Sequence, residues 1–155
     1  MRYSLSILLI CLVFGLNAQN WGGKNRVRGN GEVTTEQRDV KSFDGIKVCC
    51  SIKVEVTQGS SASVTVEAES NILPYVKTDV MGGYLQVGFT GKASINSTKP
   101  IIVKVTAPSL EYIGASSSSK VVSTSTFSGD ELELDASSSG KIYFNFSGDL
   151  VRADA

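Results

Sequence analysis

From Val33 onward, apolar and polar residues alternate with a period of two, the spacing that puts successive side chains on opposite faces of a strand. Ile46, Val48, Cys50, Ile52, Val54 and Val56 share one phase, with Lys47, Cys49, Ser51, Lys53 and Glu55 on the other. Val64, Val66 and Ala68 continue the pattern, as do Leu85, Val87 and Phe89, and then Ile101, Val103, Val105 and Ala107. Each run closes on a turn signal: Gln58-Gly59-Ser60, Gly82-Gly83, Gly91-Lys92 or Pro108-Ser109. Asn71 to Tyr75 is irregular, and Pro74 argues against a central strand there. No stretch sustains a helical period, so the pattern predicts an all-β domain.

Past Pro108 the alternation acquires a repeat. Ala115 to Val121 (ASSSSKV) is matched by Ala136 to Ile142 (ASSSGKI), and Phe127 to Asp130 (FSGD) by Phe146 to Asp149. The first pair is offset by 21 residues and the second by 19, a unit of about 20 residues with a small length change inside one copy. Leu132, Leu134 and Ala136 face one way, with Glu131, Glu133 and Asp135 on the other side; Val151, Ala153 and Ala155 then take the inward places, with Arg152 and Asp154 outward. Stacked copies would bring equivalent apolar residues about 4.8 Å apart, with the serine runs as tight corners. The expected fold is therefore a single-domain, β-helix-like solenoid with Ser/Gly-rich corners over residues 32–155. The sequence stops at Ala155, where another corner would begin, and reads as truncated at its C-terminus.

The N-terminus changes the picture of where the domain works. Arg2, an apolar run from Leu5 to Leu16 and a small residue at Ala18 read as a signal peptide over residues 1–18, which implies export. The run is short for a membrane span, and no later segment supplies one. Cys11 follows Ile10, an unfavourable setting for lipidation. Residues 19–31 are polar, glycine-rich and without a period, and read as a flexible leader.

Cleavage after Ala18 would leave 137 residues, enough for one domain, with 14 basic against 15 acidic side chains. That balance gives no reason to expect nucleic acid or an anionic membrane as partner. The remaining cysteines, Cys49 and Cys50, are neighbours and cannot staple distant parts of a fold. Adjacent Cα atoms stand about 3.8 Å apart, short of the roughly 4.4 to 6.8 Å of ordinary bridges, which argues against a vicinal disulfide. The alternation predicts two thiols on opposite faces of one strand, Cys50 buried and Cys49 exposed.

The chain has no histidine, which excludes Ser-His-Asp and Cys-His catalysis and weakens any zinc site. Ser119 with Lys120, or Ser139 with Lys141, would be serine-lysine pairs in solvated corners, where the lysine lacks the desolvation that activates it. Asp130 and Asp149 occupy equivalent places, as do Asp135 and Asp154; such ladders suit Ca²⁺ or a glycosidase-like pair, but also simply wet turn edges. Trp21, Tyr84, Tyr112 and Tyr143 are candidates for stacking on sugar rings. Asn96 and Asn145 head glycosylation-type triplets. No residue is assigned a catalytic, cofactor-binding or metal-binding role.

Glu36 to Val48 (EQRDVKSFDGIKV), Ser51 to Gly59 (SIKVEVTQG), Val64 to Ala68 (VTVEA) and Asn71 to Tyr75 (NILPY) resemble the opening of the auto-transporter adhesin "head GIN" domain family. The resemblance extends over residues 31–155. It implies a pectin-lyase-like β-helix outline without established catalytic residues, in the envelope of Bacteroidetes-type bacteria, at the periplasm or outer surface of a Gram-negative cell. Cys49-Cys50 departs from the small residues usual at that point. The expected function is a non-enzymatic module for adhesion or binding, with a glycan or a protein as surface ligand. A β-helix-type polysaccharide lyase or hydrolase, or a purely structural envelope component, is the alternative.

Overall fold

The computed structural model describes residues 25–155, so the expected signal peptide, Cys11 and Trp21 lie outside the described residues. Strands account for nearly all regular structure, as the alternation predicts. They are β1 (Arg26–Arg28), β2 (Val33–Arg38), β3 (Gly45–Val48), β4 (Lys53–Gln58), β5 (Ser63–Glu69), β6 (Val76–Met81) and β7 (Tyr84–Phe89). There follow β8 (Ser94–Asn96), β9 (Ile102–Ala107), β10 (Tyr112–Ala115), β11 (Lys120–Ser128), β12 (Glu131–Ala136), β13 (Lys141–Ser147) and β14 (Leu150–Asp154). Leu73–Tyr75, around Pro74, is a single 3₁₀ turn. Strand β1 lies inside the segment expected to be a flexible leader and pairs in parallel with β8.

The β-helix-like solenoid expected from the repeat is not the fold. The strands form two mixed six-stranded sheets, ordered β14-β12-β10-β3-β7-β6 and β13-β11-β4-β9-β5-β2, with β1-β8 as a small third sheet. The two large sheets share one core and are sandwich-like: Ile46, Leu85, Ile113 and Leu132 from the first join Val54, Val66, Val103, Val121 and Phe127 from the second. A coil of constant rise would keep every strand parallel and in sequence order. Here β5 runs antiparallel to both β2 and β9, and β6 antiparallel to β7. The reversal between β6 and β7 is made by Gly82 and Gly83, both at positive φ, as a two-residue hairpin requires. Strands β3 and β4 are inserted between strands from later in the chain, so the regular offset read from the sequence is confined to the C-terminal strands.

Within that part, equivalent residues do lie side by side. Ala115 pairs with Ala136, and Val121 with Ile142. An irregularity in β11 between Val122 and Thr126 then shifts the register so that Phe127 meets Phe146. This bulge is the two-residue change between the offsets of 21 and 19.

The serine runs turn the chain from one sheet to the other. Ser117, Ser118, Ser138 and Ser139 all have positive φ, and so do Cys50 and Ser51 between β3 and β4. Non-glycine residues pay about 1 kcal/mol or more each for that conformation. Hydrogen bonds between successive corners offset it: Ser51 N–H donates to Ser117 C=O at 3.0 Å, Ser118 N–H to Ser138 C=O at 3.1 Å, and Ser116 N–H to Val48 C=O at 2.9 Å. Ser119 is buried, not solvated, and its hydroxyl donates to Val48 C=O at 3.1 Å.

The same corner corrects the reading of the cysteines. Ile46 to Val56 is two strands in different sheets, with the bend at Cys49 to Ile52. Cys49 and Cys50 are both half-buried, and their sulfurs are joined in a vicinal disulfide. Positive φ at Cys50 takes the pair out of the strand geometry that would have pointed the two side chains apart.

Candidate functional site

The outer face of the sheet β14-β12-β10-β3-β7-β6 carries the most organised cluster of outward-facing side chains. Parallel register sets Tyr84 on β7, Gly45 on β3, Tyr112 on β10, Glu133 on β12 and Arg152 on β14 abreast in one row. The next outward row holds Gln86, Lys47, Gly114, Asp135 and Asp154. The strand order determines both rows, because only it brings β7, β3 and β10 together from distant parts of the sequence.

Glycine makes room for the rings. A Cβ on Gly45 would stand 2.5 Å from Tyr84 Cδ1 and 2.8 Å from Cε1; one on Gly114 would stand 2.8 Å from the Tyr112 hydroxyl and 3.0 Å from its Cε1. Both tyrosines therefore lie down over bare backbone and meet edge to face, with ring centroids 5.3 Å apart and planes at 82°. The Lys47 ammonium sits 4.0 Å from the Tyr84 centroid and 5.2 Å from that of Tyr112. Tyr112 donates its hydroxyl hydrogen bond to Asp135 Oδ2 at 3.3 Å. Partial burial pushes the Tyr112 hydroxyl above its usual pKa, and the neighbouring charges of Asp135 and Glu133 push it further, so it is held as a neutral donor.

On the side away from Lys47, the two rings border an open groove of about 560 Å³, also lined by Ser109, Leu110, Glu111, Asp130, Glu131 and Glu133. Glu131 is paired with Arg152 across the strands. The groove thus offers ring surface and carboxylate acceptors, on a floor of sheet and turn.

The sequence-stated candidates separate cleanly. Tyr84 and Tyr112 come together here, while Tyr143 projects from the other sheet. Asp130 lines the groove and Asp149 does not, although Asp149 N–H donates to Asp130 C=O at 3.1 Å. Asp135 and Asp154 are paired in register. Among the described residues, no three of the His, Cys, Asp and Glu side chains are grouped so as to hold a metal ion. Lys47, Gly45 and Gly114 were missed by sequence reasoning; small residues between two tyrosine positions of one row become a signal only once the register is known.

One buried carboxylate has a structural role instead. Glu69, at the end of β5, is 1% exposed. Burial pushes its carboxyl up, but hydrogen bonds from the Thr98 hydroxyl and N–H and from the Gly31 and Lys99 N–H groups outweigh it and hold the pKa at about 2. The Thr98 bonds measure 2.5 and 2.8 Å and the Gly31 bond 2.7 Å, so Glu69 ties the segments after β1 and β8 to the main domain.

The profile of the family described as "Putative auto-transporter adhesin, head GIN domain" matches residues 42–155. Among solved structures, a putative adhesin from Parabacteroides merdae ATCC 43184 aligns at TM-score 0.67 and 27% identity, over 84% of this chain and 61% of that one. A putative adhesin from Parabacteroides distasonis ATCC 8503 aligns at TM-score 0.68 and 25% identity, over 84% and 62%. A putative lipid binding protein from the same organism shares the fold at TM-score 0.68 and 19% identity, over 84% and 63%. The chain therefore spans about three fifths of the length of these structures. No curated protein matches it significantly. No helix among the described residues is long and apolar enough to cross a membrane.

Proposed function

Because the chain belongs to the head GIN domain family of adhesin-like proteins, we propose that it is a non-enzymatic binding module of the bacterial envelope whose ligand surface is the Tyr84–Tyr112 groove and whose ligand is a saccharide. The observation that carries this reading is the tyrosine pair seated on Gly45 and Gly114 beside a carboxylate-lined groove. A sugar ring has an apolar face of C–H groups and a rim of hydroxyls. Tyrosine rings take the first, and Glu111, Asp130 and Glu133 accept hydrogen bonds from the second. Export by a signal peptide over residues 1–18 fits delivery to the periplasm or outer surface of a Gram-negative cell.

Catalysis is not needed to account for the site. The chain has no histidine, and Asp130 and Asp149, the pair a glycosidase reading would use, are both exposed at turn edges. The test is a glycan-array screen with the full chain, followed by a turnover assay on every glycan that binds. Binding lost in Tyr84→Ala/Tyr112→Ala, without turnover, is the expected result. Cleavage of a bound glycan, or binding that survives the double substitution, overturns the proposal.

A further inference from the structure

The opposite sheet carries a second charged feature that the overall charge balance of the sequence conceals. Lys120 on β11 pairs in register with Lys53 on β4 on one side and with Lys141 on β13 on the other. All three alternate with inward residues, Val54, Val121 and Ile142, so all three project outward from one sheet face. Neighbouring strands stand about 4.8 Å apart, so the three lysine positions follow one another over about 10 Å across the sheet. Like charges directly abreast cost stability in a sheet, and this row holds two such pairs.

Little along the row neutralises them. Lys53 is shared with Glu55 at 2.7 Å. Lys120 rests 4.8 Å from the Tyr143 ring centroid, which steadies the ammonium without removing its charge. Among the described residues, no carboxylate lies within ion-pair distance of Lys120 or Lys141. The strip is narrow: the same row passes Ile102 to reach Glu67, which is paired with Lys104 at 3.0 Å, and Glu55 stands in the next row beside Lys53.

From this geometry we infer that Lys53, Lys120 and Lys141 form a binding strip for a linear anionic polysaccharide, with Tyr143 as its stacking partner. A single file of charges bordered by carboxylates suits a chain carrying one acid group per sugar. A bilayer or a nucleic acid duplex spreads its charge over a broad surface and would meet Glu55 and Glu67. Tyr143 is 54% exposed beside the strip and offers its ring to a sugar. The other large exposed apolar side chains, Val33, Met81, Leu150 and Val151, lie on β2, β6 and β14. The apolar neighbours of the strip, Ile102 and Val122, are half-buried, so no fully exposed aliphatic side chain stands beside the lysines for insertion into lipid.

The strip is separate from the tyrosine groove, so the test leaves that site intact. The full chain is titrated with polygalacturonate, and in parallel with phosphatidylglycerol vesicles and a single-stranded oligonucleotide. Wild-type protein is expected to bind polygalacturonate and to lose it as salt rises from about 50 to about 300 mM, where exposed charges are screened. Lys53→Gln/Lys120→Gln/Lys141→Gln should weaken binding about tenfold or more. The arginine counterparts, K53R/K120R/K141R, should retain it. Lys41→Gln/Lys77→Gln/Lys92→Gln removes the same net charge elsewhere and should leave affinity within about twofold of wild type. Equal losses in the two glutamine triples would reduce the effect to net charge and overturn the inference. So would absent polygalacturonate binding, or equal affinity for vesicles or oligonucleotide.

Discussion

Replacing Gly45 with alanine should unseat the tyrosine pair. The new Cβ would fall 2.5 Å from Tyr84 Cδ1, closer than real Cβ atoms approach anything, so the ring must leave its place over the backbone. Leaving forfeits the Lys47 contact, about 0.5–1 kcal/mol at an exposed site. It also forfeits the edge-to-face contact with Tyr112, about 0.5–1.5 kcal/mol. Against this, alanine in place of a strand glycine recovers about 0.5–1 kcal/mol of backbone entropy. The net expectation is a loss of about 0.5–1.5 kcal/mol in wild-type background, with saccharide binding abolished. In a Tyr84→Ala background the two contacts under 3.0 Å are gone, Tyr112 Cβ at 3.2 Å is left, and the same substitution should cost clearly less than in wild type. Urea unfolding of the two singles and the double gives a coupling energy, expected at about 1–2 kcal/mol. If Gly45→Ala costs the same with and without Tyr84, the ring does not lie over Gly45 and the reasoning about the site fails.

Phe127 is 1% exposed and packs against Phe144 at 4.9 Å between centroids; Phe127→Ala should cost about 3–5 kcal/mol in urea unfolding, and a loss below about 1 kcal/mol would mean the two sheets do not close over it. The Glu69 carboxyl has its folded pKa depressed to about 2 from 4.5, so its contribution is complete above the unfolded value and fades as pH falls from 4.5 through about 2. Glu69→Gln should lower the urea midpoint at pH 7 and flatten its decline over that window; an unchanged decline would place the acid sensitivity elsewhere. Intact protein treated with iodoacetamide should take up no label at Cys49 or Cys50 until a dithiol is added, as peptide mass spectrometry can read; labelling without reductant would show free thiols.

How far the sequence could be read depended on the range of the interaction. Alternation named the core almost residue by residue, Ile46, Val54, Val66, Val103, Val121 and Leu132 among them, because burial of one strand face is a local property. The repeat likewise anticipated the neighbours Ala115 and Ala136, and its change of offset is the bulge in β11. What it could not reveal is that β5 and β6 turn back on their neighbours: the Gly82-Gly83 signal was visible, but a hairpin and a corner use the same residue types. Extending the C-terminal offset to the whole chain therefore predicted a solenoid where there are two mixed sheets. The cysteines misled for a related reason, since alternation continues unbroken through a corner whose bend lies in the φ of Cys50 and Ser51.

The site divides in the same way. Tyr84 and Tyr112 could be named as sugar-stacking candidates, but so could Tyr143, and no local pattern separates them. Their union depends on β3 lying between β7 and β10, with pairings across 39 and 67 residues of sequence in the Gly45 row. The lysine row was hidden for another reason: Lys120 and Lys141 recur with the repeat, whereas Lys53 joins them only through the register of β4.

The claim that the Tyr84–Tyr112 groove is the ligand surface is tested most directly by NMR of protein carrying ¹³C-labelled tyrosine rings, titrated with a neutral glycan that binds on the array. Ring signals of Tyr84 and Tyr112 should shift and saturate together while those of Tyr75 and Tyr143 stay fixed. Saturating shifts at Tyr143, with Tyr84 and Tyr112 unmoved, would contradict it.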